Sequence, residues 1–342
     1  MILKVNKSTY YDAINLYQKN YYPINEFCSN KDFEQIIDKK IDSRGNAFGY
    51  PIILSISSKE KSKLVGKIIY LKFRKKVYFK IKVKNIYKIS KKKYLKKIFE
   101  TDHKEHPGVK NFLRLKKFFV CGKPVLIDSL PKKYQKTSSE YSKKLININK
   151  IKKISAFHTR NVPHKIHEWI INLALKKCNA VLISPMIGML KKSDTKKEKV
   201  LKAYKLLISK KYKKKKIFLI PFYSQAKYAG PREAINHCIV RKNLGCTHIT
   251  IGRDHAGVGN FYKKYSSQKA CKKLEKKMKI KIITYWEPIY SKKKNKIISI
   301  KNFNKKDFVK ISGAKIRSLI KKRKKVPRYM IDDDTLRILK RN

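Results

Sequence analysis

A chain of 342 residues with 42% hydrophobic content is long enough for two domains with a sizeable core, and too apolar for disorder to be its default state. A net charge of +65 admits nucleic acid, an acidic membrane surface or polyanionic substrates as partners. No apolar run approaches the roughly 20 residues that cross a bilayer, and the start, "MILKVNKSTYYDAINLYQKN", lacks the apolar core and small-residue cleavage site of a signal peptide, so a cytoplasmic protein is expected.

In chain order, residues 1–150 read as β-rich and irregular. "YPIILSIS", "KLVGKIIYLKF" and "KKVYFKIKVKNIYKI" are dense in β-branched and aromatic residues, the composition of strands. "NKDFEQIIDKK" and "KNFLRLKKFF" read as short helices, and "KKYQKTSSEYSKKLININKIKK" is polar and reads as a linker. The rhythm then changes. "KISAF", "AVLISP", "KIFLIPF", "HITIG" and "KIKIITYW" are apolar strands; "PHKIHEWIINLALKKC", "TKKEKVLKAYKLLISKKY" and "PREAINHCIVRKNLG" are helices between them. Apolar strands alternating with amphipathic helices argue an α/β fold, a parallel sheet covered on both faces. In such a sheet ligands bind at the carboxyl ends of the strands. "ISGAKIRSLIKK" and "DDDTLRILKR" give two short helices in the tail. The expected division is 1–150, 151–283 and a small third unit, 284–342.

The 88 basic residues divide into 76 Lys and 12 Arg. Lysine runs through the whole chain, which argues a solvated surface rather than a nucleic-acid groove. Arginine offers a planar fork of donors that lysine cannot copy, so the arginines that persist are informative. Arg160, Arg232, Arg241, Arg253 and Arg317 all fall in distinctive stretches. The six cysteines are far apart, with no C-x-x-C spacing; reduced, buried thiols are expected and no metal ligands are assigned.

Four stretches carry chemistry. "FHTRNVPHKIHEWI" (157–170) follows a strand. Pro163 suits the first turn of a helix, which sets His164 and His167 three apart on one face. Open backbone N–H groups at that end attract anions, and Arg160 and Asn161 lie just before it. Donors without a carboxylate suit phosphate better than metal; the plain alternative is a capped helix with two surface histidines. "THITIGRDHAGVGNFY" (247–262) ends a strand at Gly252 and continues into Arg253, Asp254, His255 and Ala256, with small residues that let a ligand approach the backbone. "YAGPREAINHCIVRKN" (228–243) starts a helix with Arg232 and Glu233, read as a pair orienting neighbouring loops. In "ISGAKIR", Ser312 is a helix cap. No P-loop pattern occurs.

Together these motifs resemble the ATP sulfurylase (sulfate adenylyltransferase) family. The family's Q-x-R-N followed by H-x-x-H reads "HTRNVPHKIH"; "GRDHAG", "YAGPRE" and "ISG" match in order, with weaker echoes in "YYPINEF", "HPGVKNF" and "VPRYM". The resemblance spans almost the whole chain. It implies a PUA-like amino-terminal domain, a Rossmann-like nucleotidyltransferase domain and a small carboxyl-terminal domain. It implies Mg-ATP and sulfate as substrates, adenosine 5′-phosphosulfate and pyrophosphate as products, and a homo-oligomer. By the same resemblance Arg160 and the Ala256 backbone hold sulfate; Asn161, His164, His167 and Arg253 hold ATP phosphates; Ile283 lies near the adenine, and His158, Gly252 and His255 are further substrate-binding residues. Two departures stand out. His158 replaces the family's glutamine, and Ala226-Lys227 replaces Met-Arg. Because histidine ordinarily becomes cationic near pH 6–7, His158 sets the expectation that sulfate affinity rises as pH falls through about 7. The single cysteine in "KKYSSQKACKKLEKK" argues against the zinc site of some relatives, and no APS kinase extension is expected. Two rival readings are an adenylyltransferase for another oxyanion or acid, and a basic RNA-binding protein.

Overall fold

The computed structural model describes residues 1–57, 64–188, 195–301 and 305–340. The amino-terminal part holds two small sheets. Ile2–Lys4, Ile68–Phe73, Lys76–Lys82 and Pro124–Leu126 form one, with its first pairing parallel and the rest antiparallel. Leu54–Ile56, Phe118–Cys121 and Asn85–Lys88 form the other, antiparallel throughout. The run "KKVYFKIKVKNIYKI" thus feeds two sheets, because the chain changes sheet at Val83–Lys84.

"KNFLRLKKFF" is not one helix. The helix is Pro107–Leu113, begun by the His106 side chain accepting the Val109 N–H and by Pro107 in the first turn. The aromatic pair that follows starts the strand Phe118–Cys121. Nor is 132–153 a linker: it contains helices Lys132–Gln135 and Ser139–Ile148. The lysines face out, while Tyr134, Ser142 and Ile146 are buried, and Ser142 Oγ donates to the Leu244 carbonyl at 2.6 Å.

The central sheet positions the site. Its elements are β1 (Ile154–Thr159), α1 (Lys165–Lys177), β2 (Ala180–Ile187), α2 (Lys197–Lys211), β3 (Lys216–Leu219), β4 (Phe222–Tyr223), α3 (Pro231–Asn243), β5 (His248–Ile251), α4 (Ser266–Lys273) and β6 (Lys281–Thr284). The order is β3-β2-β1-β5-β6, all parallel, with β4 paired to the end of β2. "KIFLIPF" becomes two strands because Pro221, which has no N–H, interrupts the ladder. β2 is buried at every position, as a strand covered on both faces must be. One face packs on α3, α4 and the amino-terminal part, joining residues such as Ala156, Leu182, Ile235 and Tyr11 in a common core. The other face packs on α1, α2 and the tail, through Phe157, Ile183, Ala203 and Ile316.

The tail adds an antiparallel sheet of Pro288–Ser291, Lys296–Ser299 and Phe308–Val309, then helices Gly313–Lys321 and Asp333–Lys340. Successive strands run one way from β1 to β3 and the other way from β5 to β6. The order therefore reverses between β1 and β5, and a crevice opens at their carboxyl ends. Among the described residues no helix is long and apolar enough to cross a membrane.

Candidate functional site

A cavity of about 350 Å³ lies at that reversal point. After β1 it is lined by His158, Arg160, Asn161 and His167; after β5, by Gly252, Arg253, His255 and Ala256. Eight of the ten residues singled out in the sequence therefore share one cavity. His164 stands behind His167, and Ile283 is buried in β6 away from the lining, where Tyr285 takes its place.

The 160–167 turn is built by its cap. His164 is the N-cap in extended backbone, so Pro163 precedes the helix rather than entering its first turn. The His164 carbonyl accepts the N–H of His167 at 2.8 Å and of Glu168 at 3.2 Å. This stacks the two rings, 3.8 Å apart at 23°. They are 4% and 9% exposed, which removes the reading of surface histidines. His167 Nδ1 bonds Tyr204 Oη at 2.9 Å, and His164 Nδ1 finds no partner among the described residues. Burial, with Arg317 nearby, holds His164 down to about 3. Burial and His164 together hold His167 well below the ordinary histidine range, with the Val162 backbone opposing.

The loop after β5 is locked from outside. Ala256 is left-handed, φ +60°, a conformation that costs an alanine roughly 1 kcal/mol or more. Its carbonyl accepts Gly230 N–H at 3.2 Å, and the His255 carbonyl accepts Ser267 Oγ–H at 2.8 Å. Gly230 itself has φ +50°, and a Cβ there would strike the Tyr262 ring. "YAGPRE" thus holds "GRDHAG" in place. The Arg160 guanidinium lies 5.4 Å over the Tyr228 ring. Arg253 is engaged by carboxylates, donating to Asp254 and, at 2.9 Å, to Glu287.

Arg232 and Glu233 do not pair. Arg232 donates to carbonyls of Ile36, Ile37, Gly49 and Lys97, fastening α3 to the amino-terminal part. Glu233 accepts the N–H groups of Lys227 at 2.9 Å and Ala229 at 3.2 Å, holding the loop before α3. Burial raises its carboxyl, while those N–H groups and Arg160 oppose the rise. Lys227 turns away from the cavity to Asp12, at 2.9 Å.

Several functional neighbours were not singled out as site residues. From α3, His237 Nδ1 lies 3.0 Å from His255 Nε2, and its ring lies 4.1 Å from that of His158. Arg241 Nη2 lies 2.6 Å from His158 Nδ1. Arg317, from "ISGAKIR", donates to Asn161 Oδ1 at 2.9 Å, and Ser312 lines the cavity. His158, His237 and His255 each bring a ring nitrogen within 4.8 Å of the others. The signal was present in part. Glu233, His237 and Arg241 recur every four residues, one face of a helix, in a segment buried almost all round.

His158 departs from the expected titration near neutrality. Burial first, then His237, Arg241, His255 and Arg160, hold it well below the ordinary range. Burial, Arg241 and Arg160 hold His255 down to about 3. Both rings are neutral at pH 7. The cavity therefore offers guanidinium forks, neutral imidazoles and backbone N–H groups, with the carboxylates of Glu233, Asp254 and Glu287 also in its lining. Asp254 and Glu287 are engaged by Arg253, and Glu233 by the Lys227 and Ala229 N–H groups, which leaves the donors to meet anions.

Residues 132–342 match the ATP-sulfurylase family model, and residues 1–129 match a PUA-like domain. A sulfate adenylyltransferase of Pyrococcus abyssi is 32% identical over 333 residues, covering 96% of this chain and 87% of that protein. Those of Thermococcus onnurineus and Ignicoccus hospitalis are 31% and 30% identical, with 89% of each covered. Among solved structures, a hexameric APS kinase from Thiobacillus denitrificans superposes with a TM-score of 0.76 at 14% identity over 99% of this chain. It matches in fold, and this chain spans 62% of its length.

Proposed function

The chain belongs to the ATP-sulfurylase family and is a nucleotidyltransferase of the sulfate adenylyltransferase kind, and we propose that the cavity between β1 and β5 is where ATP and sulfate meet. Sulfate is already an anion at neutral pH and needs no base. One of its oxygens attacks the α-phosphorus of ATP, the bond to the β-phosphate oxygen breaks, and pyrophosphate leaves with the negative charge. The barrier lies in bringing two anions together and stabilising that charge, which is work for positioning and fixed donors.

Arg160, His158 and the Ala256 N–H hold sulfate in this reading. Asn161, His167 and Arg253 hold the phosphates, with His164 stacked behind His167, Gly252 and Tyr285 beside the nucleotide, and His255 next to His158 on the sulfate side. Magnesium arrives on the ATP phosphates as part of the substrate. A homo-oligomer, a cytoplasmic location and a division near residues 150 and 283 belong to the same proposal. The observation that carries it is the convergence of the "HTRNVPHKIH" and "GRDHAG" loops on one cavity at the sheet's reversal point.

The test is sulfate-dependent pyrophosphate release from ATP, run beside ATP formation from adenosine 5′-phosphosulfate and pyrophosphate. Both are expected. ATP binding without either reaction, between about pH 5.5 and about 8.5, would overturn the acceptor assignment.

A further inference from the structure

Arg241 is wholly buried in α3, and its guanidinium stacks 4.7 Å from the Phe222 ring. Burial brings its pKa down to about 10, which still leaves it charged at neutral pH. Nη2 reaches three acceptors: His158 Nδ1 at 2.6 Å, and the carbonyl and Oγ of Ser184 at 3.2 Å each. Nε and Nη1 are buried without a partner among the described residues. A guanidinium has five N–H donors and no acceptor. A contact of 2.6 Å between Nη2 and an imidazole nitrogen is a hydrogen bond only when that nitrogen carries its lone pair. In a neutral ring the proton then belongs to the other nitrogen.

We propose that Arg241 is a positioning residue that fixes His158 as the Nε2–H tautomer, so that the ring acts as a neutral donor in the sulfate half of the cavity. The identity of the anion rests on the functional reading above; the tautomer does not. Glutamine would satisfy the same pair of demands. Its amide oxygen would accept from Arg241, and its amide nitrogen would donate to the anion. Histidine so held has the same polarity on both sides, and this accounts for its standing where the family pattern has glutamine.

The groups facing His158 are His237 and Arg241 from α3, His255 from the loop after β5, and Arg160 from its own loop. None is a carboxylate. A second proton on the ring would be opposed from every side and would also point at Nη2.

The same lock closes the histidine trio to metal. A neutral imidazole ligates a cation only through a nitrogen that has its lone pair free. Here Nε2 carries the proton and the lone pair of Nδ1 is taken by the cationic Arg241 at 2.6 Å, so His158 has no nitrogen to give. The trio has the spacing of a metal site, and Arg241 holds it as an anion-facing cluster instead.

The decisive measurement is the ¹⁵N imidazole spectrum of the wild-type enzyme without substrate. The His158 signals are identified by their loss in His158→Gln. Expected are a protonated Nε2 and an unprotonated Nδ1, unchanged from about pH 5.5 to about pH 8.5. A protonated Nδ1, or a titration inside that range, overturns the proposal. A second measurement uses Arg241→Met and Co²⁺ as the probe. The variant is expected to bind cobalt at the trio at least ~10-fold more tightly than wild type, and to lose it again when His158→Gln is added. Equal cobalt affinity in wild type and variant, or cobalt already held by the wild-type trio, overturns it. If Arg241→Met does not fold, the wild-type spectrum still decides. Both readouts are independent of turnover, so failure to release pyrophosphate would sink the functional reading and leave the tautomer standing.

Discussion

Two histidine clusters meet at one cavity, and they are kept neutral by different means. His164 and His167 are neighbours on one turn of α1. They stack on each other, meet a single guanidinium, Arg317, and end on a phenol, Tyr204. His158, His237 and His255 come from three separate segments and face two guanidiniums, Arg241 and Arg160. The first cluster is built by a helix cap; the second is built by the sheet, which carries β1 and β5 to the same edge and lays α3 beneath them. A local cluster can be adjusted by one substitution. An assembled cluster depends on every element that delivers a member, and its polarity is set by whichever neighbour can only donate.

The largest expected effect lies on the guanidinium that faces the second cluster. A fork binding sulfate through two parallel bonds is not replaced by a point charge. Arg160→Lys is expected to cut turnover at least ~10-fold, and Arg160→Ala roughly 100-fold, with ATP binding retained in a direct titration. Unchanged sulfate kinetics in Arg160→Lys would remove the distinction between the two clusters.

The next effect belongs to the α1 cluster. If His164 and His167 stabilise the departing phosphates, His164→Ala and His167→Ala should each lower kcat by about 10-fold and raise the KM for ATP by less. Sulfate KM should stay where it is. An increase confined to KM, with kcat intact, would make the pair a binding surface and nothing more. Tyr204→Phe sharpens the contrast further. It strips the partner from His167 Nδ1 in a buried setting, a loss worth roughly 1–2 kcal/mol of stability. Thermal unfolding should report that loss while sulfate affinity, set at the other cluster, is unchanged.

How visible each cluster is in the chain follows from how it is made. His164 and His167 are three residues apart behind a proline, and the strand before them with Arg160 in the loop marks them as more than a capped helix. The alternation of apolar strands and amphipathic helices likewise exposes the parallel sheet, and the carboxyl-end rule then places both loops. His237 and Arg241 lie about 80 residues from His158 in sequence, and only the fold says that α3 passes under β1. Their four-residue spacing with Glu233 was a hint, but a polar stripe usually marks a solvated face. Here it is buried because the amino-terminal part covers α3, with Arg232 fastening the two. Burial also reversed the expectation for His158. The sequence shows a histidine beside an arginine; it does not show that the fold surrounds the ring with His237 and His255 and that a second guanidinium takes its Nδ1. The helices at 132–148 were hidden for the opposite reason, since lysine-rich outer faces mask the buried Tyr134 and Ile146.

The smallest expected effect on turnover is also the sharpest test of the comparison. With Nδ1 committed to Arg241, His158 stays a neutral donor through the neutral range, so sulfate affinity should be flat from about pH 8 down to about pH 6 rather than rising below 7. His158→Gln should then change kcat/KM for sulfate by less than about threefold, roughly 0.6 kcal/mol, and leave the pH profile of activity alone. Stability should respond where activity does not. In the unfolded chain His158 binds a proton near pH 6.5; in the folded chain it does so only at much lower pH. Between those values the unfolded state holds more protons, so stability rises with pH and is lost on acidification below about 6.5, by up to about 1.4 kcal/mol per pH unit for each such group. Replacing His158 with glutamine removes one of these groups. Denaturant unfolding between about pH 6 and about pH 4.5 should therefore fall less steeply in the variant by about that slope. An identical acid limb in the two proteins would mean that His158 takes up its proton in the folded state as readily as in water, and the difference drawn between the two clusters would collapse.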